Sequence, residues 1–495
     1  MKFLFAAFFA VFVFSGESSG ADVPVSEDSA ACIECHSTFN AGIVAAWEKS
    51  RMSKITPRAA KSLAPRERRV SFDQLPDPLA DVVVGCAECH ALRSEKHKDS
   101  FEHNGQQVHV VVTPLDCATC HPLEVMQFSK NLMSEAYGNL EKNPLYRDLV
   151  RSATGIQSFQ NMATTLADPD EGTLSDACRQ CHGTLVEVKG LAERETDHGD
   201  LSFPVLTGWP NQGVGRINPD GSKGSCSACH TRHTFAIEMA RKPYTCSQCH
   251  KGPDVPAFKV YEVSKHGNLY SSLGHGWKYD PVPWKIGKDI TAPTCATCHV
   301  SLVSSGGEIV AERTHQMNDR LAWRLFGLIY AHPHPKSADT TIIKNKAGLP
   351  LPTELTGEPV AEYLIRAEEQ KERRDTMQKV CLSCHSRPWV EGHFERFETA
   401  IRKTNEMTLT ATNILLSAWN QGVASQKGGL FDEAIEKRWV EQWLFFANST
   451  RYSSAMVGAD YGVFANGRWF MAKNIQEMVD WLKFQLKAKE PRPPS

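Results

Sequence analysis

The sequence predicts a mainly α-helical protein with few strands. Strand signals are sparse: the clearest β-branched run covers only residues 108–112, and the Gly, Pro, Asn and Asp residues of 208–224 are typical of a loop. Residues 394–490 instead carry apolar side chains at helical spacing. The third observation is a Cys-x-x-Cys-His motif that recurs between residues 32 and 385.

This motif occurs eight times and uses all sixteen cysteines. Its two thiols can add to the vinyl groups of a haem while the adjoining imidazole binds the iron. Structural zinc sites also use Cys-x-x-Cys pairs, but neither zinc nor disulfides require a histidine after every second cysteine. We therefore expect a body with few strands wrapped around eight covalent c-type haems. The motifs, each ending in its proximal histidine, are Cys32-Cys35-His36, Cys86-Cys89-His90, Cys117-Cys120-His121, Cys178-Cys181-His182, Cys226-Cys229-His230, Cys246-Cys249-His250, Cys295-Cys298-His299 and Cys381-Cys384-His385.

The amino terminus predicts export. Met1-Lys2 precedes an apolar run that is too short to span a bilayer, followed by small residues up to Ala21. We expect residues 1–21 to be a cleaved secretory signal, which places the protein in the periplasm. We further expect an octahaem cytochrome c domain over 22–393 and a helical domain over 394–495.

The carboxy-terminal region predicts three long helices that pack on the haem body. Two apolar faces support this prediction. One comprises Ile435, Trp439, Val440, Trp443 and Phe446, and the other Met471, Ile475, Met478, Leu482 and Leu486. Overall composition adds little, because a net charge of -2 and 41% hydrophobic residues favour neither nucleic-acid nor membrane binding.

Motif spacing is uneven, which excludes a tandem repeat of one unit. Cys226 and Cys246 are 20 positions apart, whereas Cys295 and Cys381 are 86 apart. Short separations place neighbouring haems close together, so we expect one continuous path for electrons.

The second axial ligand of each iron separates electron transfer from catalysis. An iron with two protein ligands carries electrons, whereas an open position admits a substrate. Eleven histidines lie outside the motifs, enough to close all eight irons, so their number alone does not decide. They are His97, His103, His109, His198, His233, His266, His275, His315, His332, His334 and His393.

Several segments resemble the octahaem hydroxylamine oxidoreductase family. They are Cys226-Ser-Ala-Cys-His-Thr-Arg-His233, Ala240-Arg-Lys-Pro243, Gly252-Pro-Asp254, Ser264-Lys-His-Gly267 and Ala292-Pro-Thr-Cys-Ala-Thr-Cys-His299. The resemblance covers most of the chain after residue 21 and is strongest over 226–315. It implies seven electron-carrying haems and a five-coordinate catalytic haem at the fourth motif, where His182 is the proximal ligand.

The resemblance also implies the distal ligands. Histidine stands at four family positions: His109, His233, His266 and His315. Methionine stands at three more, Met52, Met133 and Met456, and thioether is a competent axial ligand. Alternatively these methionines fill the core, and His97, His103 or His198 ligates instead.

The expected catalytic pocket departs from the oxidative members of the family. A tyrosine from a neighbouring subunit cross-links their catalytic haem, but Phe464 stands at that position, and only a shifted register would let Tyr461 replace it. The family's Asp-His pair matches Asp254-Val255, which keeps the carboxylate alone. Phe326 stands where a pocket tyrosine belongs, with Tyr330 nearby.

A loop between the fourth and fifth motifs holds Asp197-His198. Its imidazole could deliver protons near neutral pH, although such a dipeptide in a polar loop is more often at the surface.

Family members without the cross-link resemble nitrite and hydroxylamine reductases. We therefore expect a reductase that forms ammonium from nitrite or hydroxylamine, with a quinol-linked or soluble cytochrome as electron donor and a homotrimeric assembly. One alternative is hydroxylamine or hydrazine oxidation. Another is a non-catalytic electron-transfer protein, if a further histidine closes the fourth iron.

Overall fold

The computed structural model describes residues 23–196, 199–427 and 429–490. The predicted signal segment and His198 lie outside these ranges. Most of the regular structure is helical. The α-helices are α1 Glu27–Phe39, α2 Ala41–Glu48, α3 Pro57–Ser62, α4 Asp77–Ala80, α5 Ala87–His90, α6 Pro114–Cys117, α7 Pro122–Ser129, α8 Ala136–Lys142, α9 Pro144–Thr154, α10 Glu171–Asp176, α11 Cys178–His182, α12 Ile237–Arg241, α13 Pro243–Ser247, α14 Ala257–Glu262, α15 Lys265–Leu273, α16 Cys295–His299, α17 Ala367–Leu382, α18 Arg387–Asn420, α19 Ala434–Val440, α20 Ala447–Met456, α21 Ala459–Val463 and α22 Arg468–Lys489.

The strands are short and form small antiparallel hairpins, plus one three-stranded sheet with a parallel pair. The longest hairpin joins β5 to β6, with Glu187 opposite Thr207, Thr196 opposite Gly199 and a bulge between Val188 and Gly190. The strands are β1 Ser100–His103, β2 Gln106–His109, β3 Ile156–Gln160, β4 Ala163–Ala167, β5 Glu187–Thr196, β6 Gly199–Thr207, β7 Trp284–Lys285, β8 Val303–Ser305, β9 Glu308–Ala311, β10 Trp323–Arg324 and β11 His332–Pro333.

Three long helical segments form the carboxy-terminal part, as predicted. α18 begins at Arg387, before the predicted boundary at residue 394, and a π-helical stretch, Glu441–Phe446, joins α19 to α20. Buried threonines in α18 satisfy their hydroxyls within the helix: the Oγ1 of Thr408 donates to the Thr404 carbonyl at 2.9 Å.

The main apolar core lies between these helices. Ile435, Trp443 and Met478 are 0%, 2% and 0% exposed, so both predicted apolar faces point inward. Burying such large side chains is the main source of stability for this layer. The mainly helical fold predicted from the sequence is confirmed.

Candidate functional site

Each Cys-x-x-Cys-His motif forms one helical turn. In the second and sixth motifs, for example, the histidine N–H donates to the carbonyl of the first cysteine, with His90–Cys86 and His250–Cys246 distances of 2.8 and 2.9 Å. This turn places both thiols and the imidazole on one side. Residues from all eight motifs border a single interior cavity of about 1760 Å³. A continuous cavity lined by every motif is the space that covalently attached haems require.

The motifs form a row inside this cavity, and the fourth branches from it. A thiol of a neighbouring motif in the row raises the pKa of each of these thiols: Cys32 acts on Cys86, Cys120 on Cys89, Cys226 on Cys117, Cys246 on Cys229, Cys295 on Cys246 and Cys381 on Cys298. The fourth motif joins through Cys181, because the Cys249 thiol of the sixth motif lowers the pKa of the Cys181 thiol. The order in space therefore differs from the order in sequence.

Several proximal histidines are held by a hydrogen bond from Nδ1. The acceptors are Asn40 Oδ1 for His36 (2.8 Å), the His109 carbonyl for His90 (2.8 Å) and the Ala136 carbonyl for His182 (3.2 Å). Such a bond fixes the ring and leaves Nε2 free to bind a metal.

Other histidine rings lie across the cavity from motif histidines. Imidazole nitrogens bind first-row metals at about 2.0 Å, and the centre of the ring lies about 1.1 Å behind that nitrogen. Two imidazoles on opposite sides of one metal therefore have their ring centres roughly 6.2 Å apart. The observed separations are 6.1 Å for His36 and His103, 6.4 Å for His90 and His233, 6.4 Å for His230 and His315, and 6.1 Å for His385 and His266. These spacings match two imidazoles that share one iron.

His109 lies in a different setting. Its ring is 6.1 Å from His90, but it also stacks on His97 at 3.5 Å. Its Nε2 is 3.8 Å from Asp116 Oδ2, and His97 Nε2 is 3.0 Å from Asp116 Oδ1. This geometry favours His233 as the partner of His90, and a distal role for His109 stays a prediction.

The structure adds a candidate that the family positions did not include. His103 was only an alternative in the sequence, yet it lies opposite His36. Met52, Met133 and Met456 all border the cavity, and their ligation stays a prediction. His97 is 5% exposed and engaged with Asp116.

His182 faces a group of polar residues. Burial lowers the pKa of its imidazole, Asp254 raises that pKa, and Arg324 lowers it. Val255, beside Asp254, also borders the cavity. Asp254 and Arg324 are therefore close enough to His182 to act on its pKa. The carboxylate was expected from the sequence, and the cation was not.

The β10–β11 hairpin brings Arg324 and Phe326 to this region. The Arg324 guanidinium lies 5.2 Å from the Phe326 ring centre, and the Tyr452 ring is 6.4 Å from the same ring. Burial raises the pKa of Tyr452, while Arg324 lowers it and Asp254 raises it. Tyr452 thus brings a phenol next to Phe326 on the cavity wall.

The other tyrosine considered for this pocket lies elsewhere. Tyr330 is 0% exposed in the helical core and donates to the Leu355 carbonyl at 2.8 Å. Tyr330 is close to Phe326 in sequence, but it does not border the cavity, and its hydroxyl is hydrogen-bonded within the helical layer.

The cross-link positions lie outside the cavity wall. Phe464 is 65% exposed, at the end of α21, and Tyr461 is not among the residues that border the cavity in the described chain. A shifted register therefore does not bring Tyr461 to the fourth motif within one chain.

Arg324 and Tyr452 were missed for a simple reason. Their roles follow from packing between β10 and α20, which are far apart in sequence, and neither stands in a recognisable motif. Within the described ranges, no helix has the length and apolar character needed to cross a bilayer.

A family model described as seven times multi-haem cytochrome CxxCH matches residues 219–324, which contain the fifth, sixth and seventh motifs. A probable nitrite reductase-hydroxylamine oxidoreductase fusion protein of Kuenenia stuttgartiensis is 25% identical over 370 residues, which is 72% of this chain and 34% of that protein. The chain thus spans about a third of the length of this curated relative.

Two solved structures are similar over most of the chain. One, described as a hypothetical multiheme protein, is 41% identical, with 94% of this chain and 97% of the other covered and a TM-score of 0.88. The other is a chain of the Kuenenia stuttgartiensis reducing HAO-like protein complex, with 17% identity, 93% and 86% coverage and a TM-score of 0.62. The second similarity concerns the fold alone.

Proposed function

Because this chain belongs to the hydroxylamine-oxidoreductase-like multihaem cytochromes c, we propose that it is a periplasmic octahaem reductase of nitrogen oxides. It converts nitrite, hydroxylamine or both to ammonium at the fourth motif. Nitrite takes up six electrons and eight protons and releases two water molecules, whereas hydroxylamine takes up two electrons and three protons and releases one.

Covalently bound haem would supply the electrons and, at the fourth motif, an open coordination position. The chain's own part is to hold and protonate the substrate. The Ala136 carbonyl orients His182, and Asp254 is the candidate proton carrier because its carboxylate acts on the pKa of His182 and Tyr452.

The polar group around His182 carries this proposal. Among the described residues, no second histidine ring lies at about 6 Å from that of His182. The same is true of the motif histidines His121, His250 and His299. His182 differs from those three because both Asp254 and Arg324 change the pKa of its imidazole, and both also change the pKa of Tyr452. A carboxylate, a guanidinium and a phenol suit a substrate that must be bound and protonated.

The reductive direction is supported by the missing phenol. Phe464 has no oxygen to form a cross-link, and its side chain is 65% exposed and does not border the cavity. A haem without this cross-link is more readily kept reduced and can donate electrons. The names of two similar proteins, a probable nitrite reductase fusion and a reducing HAO-like complex, agree with this direction.

We propose the same donors and assembly as the sequence suggested: a quinol-linked or small cytochrome, and a homotrimer. Exposed aromatic side chains near the carboxy terminus support packing between copies. Phe464, Trp469 and Phe484 are 65%, 58% and 70% exposed, which is a large apolar area to leave in water.

The test uses the holoprotein. Carbon monoxide should bind the reduced protein, and reduced viologen should drive consumption of nitrite or hydroxylamine with ammonium as product. A haem-stained denaturing gel should show single, uncross-linked chains. Absence of carbon monoxide binding would leave an electron-transfer protein, and faster turnover with hydroxylamine and an oxidised acceptor would reverse the direction.

A further inference from the structure

Arg324 is a cavity residue whose guanidinium lies over the Phe326 ring and forms no ion pair with a carboxylate among the described residues. It lies in β10 and borders the cavity. Its Nη1 atom is buried and makes no hydrogen bond, and none of the ion pairs found among the described residues includes it. A guanidinium is always charged and presents a planar fork of donors, so this atom can donate to an acceptor from outside the chain.

Two other arginines on the same cavity form ion pairs. Arg313 Nη2 lies 2.7 Å from Glu124 Oε1, and Arg374 Nη1 lies 3.0 Å from Glu398 Oε1. Their charges are compensated inside the chain. Arg324 therefore differs from Arg313 and Arg374 because, among the described residues, no carboxylate neutralises its charge.

A second polar atom near Arg324 lacks a partner as well. His334 borders the cavity and directly follows β11, which pairs with β10, the strand that contains Arg324. Its side chain is buried, and Nε2 makes no hydrogen bond. Two unpartnered nitrogens on one hairpin, with the Tyr452 phenol nearby, indicate a place for a small ligand rich in oxygen.

We infer that Arg324 makes the fourth-motif site selective for an anionic nitrogen oxide, so that nitrite, rather than uncharged hydroxylamine, is the substrate this site holds from solution. The inference rests on the proposed function and narrows it. A guanidinium can donate two parallel hydrogen bonds to the two oxygens of nitrite. Hydroxylamine is uncharged near neutral pH and gains much less from this cation.

A haem carboxylate is the competing acceptor for Arg324. In that case the side chain would stabilise the attached cofactor and would not discriminate between ligands. The two possibilities differ in what removal of the charge should do: the first changes the affinity for anions, and the second changes haem content or reduction potential.

The experiment compares anionic and neutral ligands on the holoprotein. Dissociation constants of nitrite and azide are measured on the oxidised protein from the Soret shift, and that of carbon monoxide on the reduced protein. In Arg324→Gln, the nitrite and azide constants should rise about 10- to 100-fold, the loss expected for a hydrogen bond to a charged group. The carbon monoxide constant should stay within about twofold of the wild-type value.

Arg374→Gln is the matched control, because it removes the same charge from the same cavity where Glu398 already compensates it. It should leave anion affinity unchanged. Arg324→Lys keeps the charge but loses the fork, and it should give a smaller loss of nitrite affinity. It also carries the test if Arg324→Gln does not accumulate with full haem content.

Several outcomes would overturn the inference. Unchanged nitrite and azide affinity in Arg324→Gln, with or without a shifted potential, assigns Arg324 to the haem carboxylate. Equal weakening of carbon monoxide and azide indicates structural damage. If hydroxylamine is reduced but no anion binds, the inference fails while the proposed function stands; if carbon monoxide does not bind the wild type, both fail.

Discussion

Replacement of His103 by alanine should open a second coordination position. Its ring centre is 6.1 Å from that of His36, against roughly 6.2 Å for two imidazoles on one metal. Alanine cannot reach across this gap. The reduced variant should therefore bind one more equivalent of carbon monoxide per chain than the wild type.

The assay is a titration of the reduced holoprotein with carbon monoxide, normalised to haem content. Met52→Leu is the matched control, because leucine keeps the apolar volume but cannot bind iron. We expect it to bind no more carbon monoxide than the wild type if His103 completes the first site. An extra equivalent in Met52→Leu, together with none in His103→Ala, would refute the spacing argument and restore the methionine as ligand.

Three further predictions concern the catalytic site and stability. Asp254→Asn should lower turnover with hydroxylamine roughly 100-fold while leaving carbon monoxide binding intact, since it removes a proton carrier and no iron ligand; undiminished turnover would exclude that role. Trp443→Ala should lower the free energy of unfolding by about 3–5 kcal/mol, measured by urea denaturation, because the indole is only 2% exposed, whereas exposed Arg402→Ala should change it by less than about 0.5 kcal/mol. Burial raises the pKa of Glu436 from 4.5 to about 7, so the folded state holds the carboxyl proton more tightly than the unfolded state. The stability that this proton contributes is complete below pH 4.5 and is lost as pH rises to about 7. The difference in the free energy of unfolding between the wild type and Glu436→Gln should therefore fall between pH 4.5 and about 7 and stay constant outside that window.

The haem-binding motifs and the carboxy-terminal helices could be predicted because their information is local. Two thiols and an imidazole within five residues define an attachment site, and helical spacing identifies the buried faces that contain Ile435 and Met471. The β5–β6 hairpin was missed because its burial pattern does not alternate. Most of its residues are exposed or partly exposed, and apolar and polar residues do not alternate along β5.

The distal ligands and the pocket were harder to predict because they depend on tertiary structure. His103 reaches His36 only once the β1–β2 hairpin packs on the first motif, and Tyr452 reaches Phe326 only once α20 packs near β10. Tyr330 is closer to Phe326 in sequence, but its buried hydroxyl finds its acceptor in the helical core.

The branch at the sixth motif has a consequence for the path of electron transfer. Among the described residues, the Cys249 thiol of the sixth motif lowers the pKa of Cys181 in the fourth, so we expect electrons to enter the fourth motif from the sixth. Electrons held at either end of the row would then have to pass the sixth motif before they reach the fourth. Loss of the sixth haem should therefore isolate the fourth motif, while electron transfer continues within each of the two remaining segments of the row.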